Sequence, residues 1–256
     1  MELPEYLSQM VRRRPPDDCG VIGGSTPVVA FGDPRNVRLA TIGLNPSKIE
    51  FLVGKTSAFL SEEHRRLATL KSLNAHATDE LDQRQVEQVV KDCANYFQRN
   101  PYKWFKNLDT IIQGAFGTEW SYYNKTVCHL DLVQWATDPV WSGLSKIQKD
   151  KLIGDGRVHL DEQLTTEKIK VVIVNGRSVW NELTNLNDFK PGESETGYFS
   201  ANRTRYTRVR GERSGVHFFG WTCNIPTQHG TMDQQLWTDL SDWLQKVAAP
   251  HLVSND

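Results

Sequence analysis

The chain contains short apolar runs, and between them lie longer stretches in which apolar and polar residues recur at helical spacing. The apolar runs are rich in β-branched and aromatic residues, which is typical of strands. Four strands are predicted, at 37–43, 125–132, 169–174 and 216–221. Strands separated by helices indicate a parallel sheet covered on both faces, so the predicted fold class is α/β with four parallel strands.

Three amphipathic stretches predict helices. Apolar residues recur at helical spacing over 79–99, the segment 178–183 follows the third strand, and a last helix begins after Thr231, which can cap it together with Gln234. A chain of 256 residues without repeats or linkers fits one domain with an ample core. We therefore expect a single domain over 1–256, with 1–27 as an N-terminal extension.

Composition narrows the classes of function. No apolar run approaches the roughly 18 residues that span a membrane, and the first residues lack the basic and apolar regions of a signal peptide. The four cysteines lie far apart, which argues against a zinc site, an iron–sulfur cluster or a disulfide framework. We expect a cytoplasmic protein without metal or cofactor. Because the net charge is −1, any surface for nucleic acid must be a local patch.

The first candidate for chemistry is the segment Gly43-Leu44-Asn45-Pro46-Ser47, which ends the first predicted strand. In an open α/β sheet, ligands and catalytic groups collect at the carboxyl ends of the strands. Asn45 is therefore a candidate catalytic residue. The alternative interpretation is an ordinary Asn-Pro turn.

The next two strand ends also carry polar residues. In the second strand, alternation sends His129 and Asp131 to one face and the neighbouring leucines to the other. Asp131 is a second candidate catalytic residue and His129 a candidate for binding substrate, although a buried Asp can also cap a neighbouring loop. The third strand ends at Asn175, a further candidate for binding substrate.

The fourth strand leads into the segment Ile225-Pro226-Thr227-Gln228-His229, just before the last helix. A strand-to-helix turn with Pro is the simpler interpretation of this segment.

Taken in order, these strand ends resemble the motifs of the uracil-DNA glycosylase superfamily, over about residues 28–245. The first motif resembles the Gly-x-Asn-Pro form of the mismatch (thymine/uracil) branch. The resemblance implies a three-layer α/β/α fold around a four-stranded parallel sheet of order 2-1-3-4. It also implies that Asn45 holds the water that attacks the sugar, and that Thr227 contacts a phosphate beside Gln228 and His229 on a wedge loop.

Two positions depart from the superfamily's pattern. Asp131 stands where an Asn reads the edge of the flipped pyrimidine, and Ile225 stands where the uracil-specific enzymes have an electrophilic His. In lacking a His at the position of Ile225, the chain resembles the mismatch branch. Gly32-Asp33-Pro34 is also similar in sequence to the first motif, but it precedes the strand, so we interpret it as a turn. Asp33 is the alternative residue for positioning water.

Further residues are candidates for contacts with a nucleotide or with DNA. Trp104, in a segment that resembles the base-stacking segment of the superfamily, and Phe51 could stack on a base, although aromatic residues at these spacings more often belong to the core. Ser47 and Lys48 continue the first motif and are candidates for DNA contacts. Arg205 and Arg208 belong to a stretch of alternating arginines that predicts a ribbon with one cationic face, which could neutralise phosphates or simply be solvated.

The resemblance implies a monofunctional DNA glycosylase whose partner is DNA, with no obligate protein partner. Because a carboxylate at Asp131 suits a cytosine-type base better than uracil, we expect a modified cytosine as the target, as in antiviral defence against phage-type hydroxymethyl or glucosylated cytosine. The alternatives are a repair glycosylase for uracil or mismatched thymine, and an inactive nucleic-acid-binding module of the same fold.

Overall fold

The computed structural model of the protein describes residues 3–198, 205–223, 225 and 234–253. The chain forms two compact units, each built from three segments. The first unit contains Met1–Asp33, Leu44–Pro101 and Leu130–Gln163, and the second contains Pro34–Gly43, Tyr102–His129 and Leu164–Asp256. The single-domain expectation stays a prediction.

The second unit is built around a seven-stranded sheet. The strands are β1 (Leu39–Gly43), β2 (Val127–Asp131), β3 (Val171–Asn175), β4 (Lys190–Pro191), β5 (Glu195–Tyr198), β6 (Arg205–Arg213) and β7 (Val216–Trp221). The last two residues of β2 belong to the first unit. The order is β2-β1-β3-β7-β6-β4, and β5 also pairs with β6.

The centre of the sheet is parallel, as the apolar runs predict. β1 pairs in parallel with β3, with Leu39 opposite Val171, and β3 pairs in parallel with β7, with Val171 opposite His217. All five residues of β3 are buried, which is typical of a parallel strand covered on both faces. The four predicted strands are β1, β2, β3 and β7, and they are neighbours in the sheet.

The prediction of a four-stranded sheet is wrong in the number of strands. The arginine-rich stretch forms β6, which pairs antiparallel with β7 and carries β4 and β5 on its other side. A two-residue turn at Ser214 and Gly215 joins β6 to β7, and both residues have positive φ. Such turns match the twist of paired strands and close tight hairpins. The sheet is therefore mixed.

Helices of the second unit pack on one another and on the sheet. They are α3 (Phe105–Phe116), α5 (Arg177–Thr184), α6 (Gln234–Val247) and α7 (Ala249–Val253). α5 and α6 confirm the two predicted helices, while the proposed cap Thr231 lies outside the described residues. α6 packs on α3, and Ser241 Oγ donates to the carbonyl of Ile111 at 3.1 Å.

The first unit contains α1 (Glu5–Arg12), α2 (Gln83–Ala94) and most of α4 (Lys146–Thr166). Leu7, Met10 and Val11 of α1 are fully buried and α1 packs on α2, so the predicted N-terminal extension contributes to this core. The predicted helix 79–99 is shorter as α2, because Asp82 forms a capping box that fixes its start.

The segment Gly32-Asp33-Pro34 is a turn, as interpreted from the sequence: Gly32 has a φ of 90° and a short 3-10 helix, Pro34–Asn36, follows. Among the described residues, no helix has the length and apolar character needed to cross a membrane.

Candidate functional site

Asn45 lies just beyond the carboxyl end of β1, where the motif predicts it. A short 3-10 helix, Lys48–Glu50, follows the Asn-Pro turn, and the Glu50 amide donates to the carbonyl of Ser47 at 3.0 Å. Leu44 is tied to the segment after β2 because its carbonyl accepts from the amide of Val133 at 2.9 Å. The turn is thus held against a second segment of the first unit.

The side-chain amide of Asn45 has a defined orientation. Its Nδ2 donates to the backbone carbonyl of Trp135 at 3.2 Å and to Oγ1 of Thr137 at 3.3 Å. A carbonyl oxygen can only accept, so the NH₂ group and not the oxygen must face it. No hydrogen bond from the described part of the chain reaches Oδ1 of Asn45. This oxygen is therefore available to accept from a water molecule.

The carbonyl that orients Asn45 is itself fixed by the core. The Trp135 ring is fully buried with Cys19, Val133, Leu144 and Leu152. Its Nε1 donates to Asp155 of α4 at 3.2 Å. Helix α4 approaches this segment closely at Gly156, where a Cβ would collide with the carbonyl of Leu132. A rigid support of this kind is what a positioning side chain requires.

Among the described residues, three carboxyl groups are buried in the same unit as Asn45: those of Glu50, Asp92 and Asp131. Asp131, at the end of β2, is 4% exposed, and Glu50, at the end of the short 3-10 helix, is 2% exposed. Oε2 of Glu50 accepts from the hydroxyl of Tyr96 at 2.8 Å and lies 3.9 Å from Nε of Arg66. Burial and, to a smaller extent, the negative charge of Asp131 raise the pKa of Glu50 to about 7 against the opposing effects of Tyr96 and Arg66.

Sequence reasoning did not identify Glu50. The signal was present, because Glu50 is the one charged residue within Ile49-Glu50-Phe51-Leu52-Val53. A charged side chain is rarely fully buried unless it is paired or hydrogen-bonded, so its presence in an apolar run indicates a specific environment.

The other candidates of the first unit differ in accessibility. Ser47 is exposed, and Lys48 is half-buried with its Nζ 3.0 Å from Oδ1 of Asp138. Phe51 is 2% exposed and packs in the core. Ser47 and Lys48 can thus reach an external ligand, whereas stacking by Phe51 would require an opening beside its ring.

His129, in the second unit, belongs to a buried polar cluster. Its Nδ1 lies 2.7 Å from Oγ1 of Thr41, which is 2.6 Å from the hydroxyl of Tyr122. The rings of Trp104 and Phe105 meet the His129 ring edge-on, with centroids at 5.4 and 5.1 Å. Trp104 is half-buried, so part of its ring contacts solvent.

Asn175 joins two strand ends of the second unit. Its Oδ1 accepts from Nε1 of Trp221 at 2.8 Å and from the backbone amide of Ile225 at 3.2 Å. These bonds fix the point at which the chain leaves β7. The wedge-loop candidates Thr227, Gln228 and His229 lie outside the described residues.

The arginines of β6 are held by carboxylates within the second unit. Arg208 binds Asp239 and the hydroxyl of Tyr206, Arg210 binds Glu195, and Arg213 binds Asp188 at 2.9 Å. The side chain of Arg205 lies outside the described residues. The strand expected for this stretch exists, and Arg208, Arg210 and Arg213 are each paired with a carboxylate. Contacts of Arg205 and Arg208 with DNA stay a prediction.

The predicted site residues are thus divided between the units. Asn45, Ser47, Lys48, Phe51 and Asp131 belong to the first unit, and Trp104, His129, Asn175, Arg205 and Arg208 belong to the second. Within the described ranges, no group of three or more His, Cys, Asp or Glu side chains is arranged to hold a metal ion.

Comparison with models of known protein families gives no match, and comparison with curated protein sequences gives none either. An assignment of function therefore depends on the residues of the site and on the resemblance of its motifs.

Proposed function

We propose that the protein is a monofunctional DNA glycosylase that resembles the uracil-DNA glycosylase superfamily. It would flip a pyrimidine nucleotide out of DNA and hydrolyse the N-glycosidic bond, leaving an abasic site. The observation that carries the proposal is the Asn45 amide, whose NH₂ group is fixed by Trp135 while Oδ1 can accept from water. In this proposal the sheet is the centre of a three-layer α/β/α fold with the superfamily's strand order, and the protein works in the cytoplasm.

The proposed reaction consumes one water molecule. Oδ1 of Asn45 accepts a hydrogen bond from the water molecule and so aims the water oxygen at C1′ of the flipped nucleotide. As the bond from C1′ to the base breaks, the base takes the electron pair, the hydroxyl of the water joins C1′ and its remaining proton ends on the base. A neutral amide is a weak base, so Asn45 acts by orienting the water.

Asp131 supports a cytosine-type base as the target. An ionised carboxylate only accepts hydrogen bonds, so it can accept from the exocyclic amine of cytosine but repels O4 of uracil. Unmodified cytosine would be a hazardous target in the cell's own DNA. A modified cytosine, such as the hydroxymethyl or glucosylated cytosine of phage DNA, fits both conditions and implies a role in antiviral defence.

Abasic-site formation tests the proposal. Purified protein is incubated with duplex and single-stranded oligonucleotides that contain uracil, mismatched thymine, cytosine or a modified cytosine, and the abasic product is cleaved and quantified. Release of a modified cytosine alone supports the proposal. Release of uracil or thymine instead indicates a repair glycosylase, and DNA binding without release from any substrate indicates an inactive module of the same fold.

Asp131→Asn should shift the preference of the enzyme toward uracil. An amide offers both a donor and an acceptor and so matches the edge of uracil. We expect the ratio of uracil release to modified-cytosine release to rise by about tenfold or more, the range given by one base-reading contact. Asp79→Asn, which removes a negative charge at an exposed position of the first unit, is the control for a general change of charge. An unchanged ratio in Asp131→Asn means that Asp131 does not read the base.

Thr137→Val should slow base release by about fivefold, because one hydrogen bond contributes about 1 kcal/mol. Valine keeps the shape of the side chain but removes Oγ1, the atom that accepts the hydrogen bond from Nδ2 of Asn45. Thr137→Ser keeps that acceptor and is the matched control, for which we expect a near-normal rate. Equal rates for the two variants would show that Thr137 does not orient Asn45.

A further inference from the structure

Arg13, which directly follows α1, is a buried cation that contacts two other parts of the first unit. Its side chain is 10% exposed. Nη1 lies 3.0 Å from Oδ2 of Asp155 and donates to the backbone carbonyl of Asp155 at 3.0 Å. Nη2 donates to Oε1 of Gln134 at 2.7 Å. A buried charge requires a partner of opposite sign and hydrogen bonds, and these three contacts supply both. Burial lowers the pKa of Arg13 to about 10 against the opposing effect of Asp155, so the guanidinium stays charged at neutral pH.

The contacts with Asp155 lead to Asn45. The same Oδ2 of Asp155 that pairs with Arg13 accepts from Nε1 of Trp135 at 3.2 Å. The guanidinium also lies over the indole ring, 5.4 Å from its centroid. The backbone carbonyl of Trp135 accepts in turn from Nδ2 of Asn45 at 3.2 Å. These contacts form a first branch, which runs from Arg13 through Asp155 and Trp135 to Asn45.

The contact with Gln134 leads to Asp131. Gln134 is fully buried, and both ends of its side-chain amide are bound. Oε1 accepts from Arg13, and Nε2 donates to the backbone carbonyl of Asp131 at 2.8 Å. A guanidinium can only donate and a carbonyl can only accept, so this amide has a single possible orientation. These contacts form a second branch, which runs from Arg13 through Gln134 to the last residue of β2.

We propose that Arg13 is a positioning residue that holds Asn45 through the first branch and Asp131 through the second. This inference rests on the proposed function, in which Asn45 orients the water and Asp131 reads the base. Arginine suits the task because its planar group presents several donors in a fixed geometry, whereas lysine is a single point charge. The N-terminal residues, which the sequence suggests are an extension, thereby help to shape the site.

Arg13→Lys tests this role. Lysine keeps the positive charge but cannot hold Gln134 and Asp155 in the geometry of the guanidinium. We expect the single-turnover rate of modified-cytosine release to fall by about tenfold, because small displacements of positioning groups have large effects on rate. The ratio of modified-cytosine release to uracil release should fall as well. The affinity for an uncleavable duplex should stay within a few-fold of the wild type, since Arg13 is buried.

Arg12→Lys is the matched control. Arg12 also donates to a backbone carbonyl and to a glutamine oxygen, those of Leu81 at 2.9 Å and Gln83 at 3.2 Å. These acceptors lie at the start of α2, outside both branches. We expect a near-normal rate and a near-normal ratio. Equal losses in the two lysine variants, or no loss in Arg13→Lys, would overturn the proposal.

One variant in each branch separates positioning from a general loss of structure. Trp135→Phe removes the Nε1 donor of the first branch, so the rate should fall while the ratio of modified-cytosine to uracil release is kept. Gln134→Glu keeps an acceptor for Arg13 but replaces the Nε2 donor by an oxygen, so this ratio should change. A merely structural role of Arg13 would lower the rate in both variants and leave the ratio at its wild-type value in both.

NMR of the full-length protein separates failure of this inference from failure of the proposed function. The indole N–H resonance of Trp135 is assigned from its absence in Trp135→Phe, and the side-chain amide resonances of Asn45 from their absence in Asn45→Ala. Both sets should shift in Arg13→Lys and stay in place in Arg12→Lys. These shifts in a protein that releases no base would retain positioning by Arg13 but reject the glycosylase. An active glycosylase in which neither set responds to Arg13→Lys would reject this inference alone.

Discussion

Asn45→Ala should lower the rate of base release by about 100-fold or more, because misplacing a reacting group by about 1 Å has an effect of this size. Alanine removes the oxygen that would hold the water and both hydrogen bonds of the amide. DNA binding should stay within a few-fold of the wild type, since phosphate contacts supply most of the affinity. Single-turnover base release and binding to an uncleavable duplex measure the two effects separately.

Asn95→Ala is the matched control for that variant. Asn95 is also a half-buried asparagine of the first unit, and its Nδ2 donates to the carbonyl of Lys91 at 2.9 Å. Its replacement removes a comparable hydrogen bond at the end of α2 and should leave base release close to normal. If Asn45→Ala itself retained near-normal turnover, the water would have to be positioned by another group, and Asp33 would become the candidate.

The elements of the fold that have a clear local pattern of apolar residues could be predicted from the sequence. The strand Val216–Trp221 has the predicted bounds, and β1, β2 and β3 differ from their predictions by only a few residues. The number of strands in the sheet was underestimated because the alternating arginines of β6 are typical of a solvent-exposed ribbon. Their carboxylate partners lie 15 to 31 positions away along the chain and have no signature in the local pattern.

The site was predictable only in part, for a similar reason. The position of Asn45 after a strand follows from local sequence, but the carbonyl that orients it belongs to Trp135, 90 residues further along the chain. Any residue can supply a backbone carbonyl, so its identity carries no signal. The environment of Glu50 likewise depends on Tyr96, 46 positions away. Chemistry that depends on burial becomes evident only when the contacts are known.

The second large effect concerns stability. As the pH rises, the free energy of unfolding of Glu50→Gln should increase relative to that of the wild type. The pKa of Glu50 is raised by burial from 4.5 to about 7, so the folded protein binds one proton more than the unfolded chain between these values. Stability from this group is fully present below the unfolded pKa and is lost as the pH rises through about 7. One pKa unit corresponds to about 1.4 kcal/mol, so the total loss is about 3 kcal/mol.

Urea unfolding of both proteins between about pH 5 and about pH 8.5 measures this change. Glutamine keeps an oxygen that can accept from Tyr96 but carries no charge at either pH, so its free energy of unfolding lacks the Glu50 contribution to pH dependence. The difference between the two proteins should change by about 2–3 kcal/mol over this range, in favour of Glu50→Gln. Glu87→Gln, at an exposed position of α2, should behave like the wild type throughout. A constant difference between wild type and Glu50→Gln would mean that Glu50 ionises as easily in the folded protein as in the unfolded chain, and would contradict the effect expected from its burial.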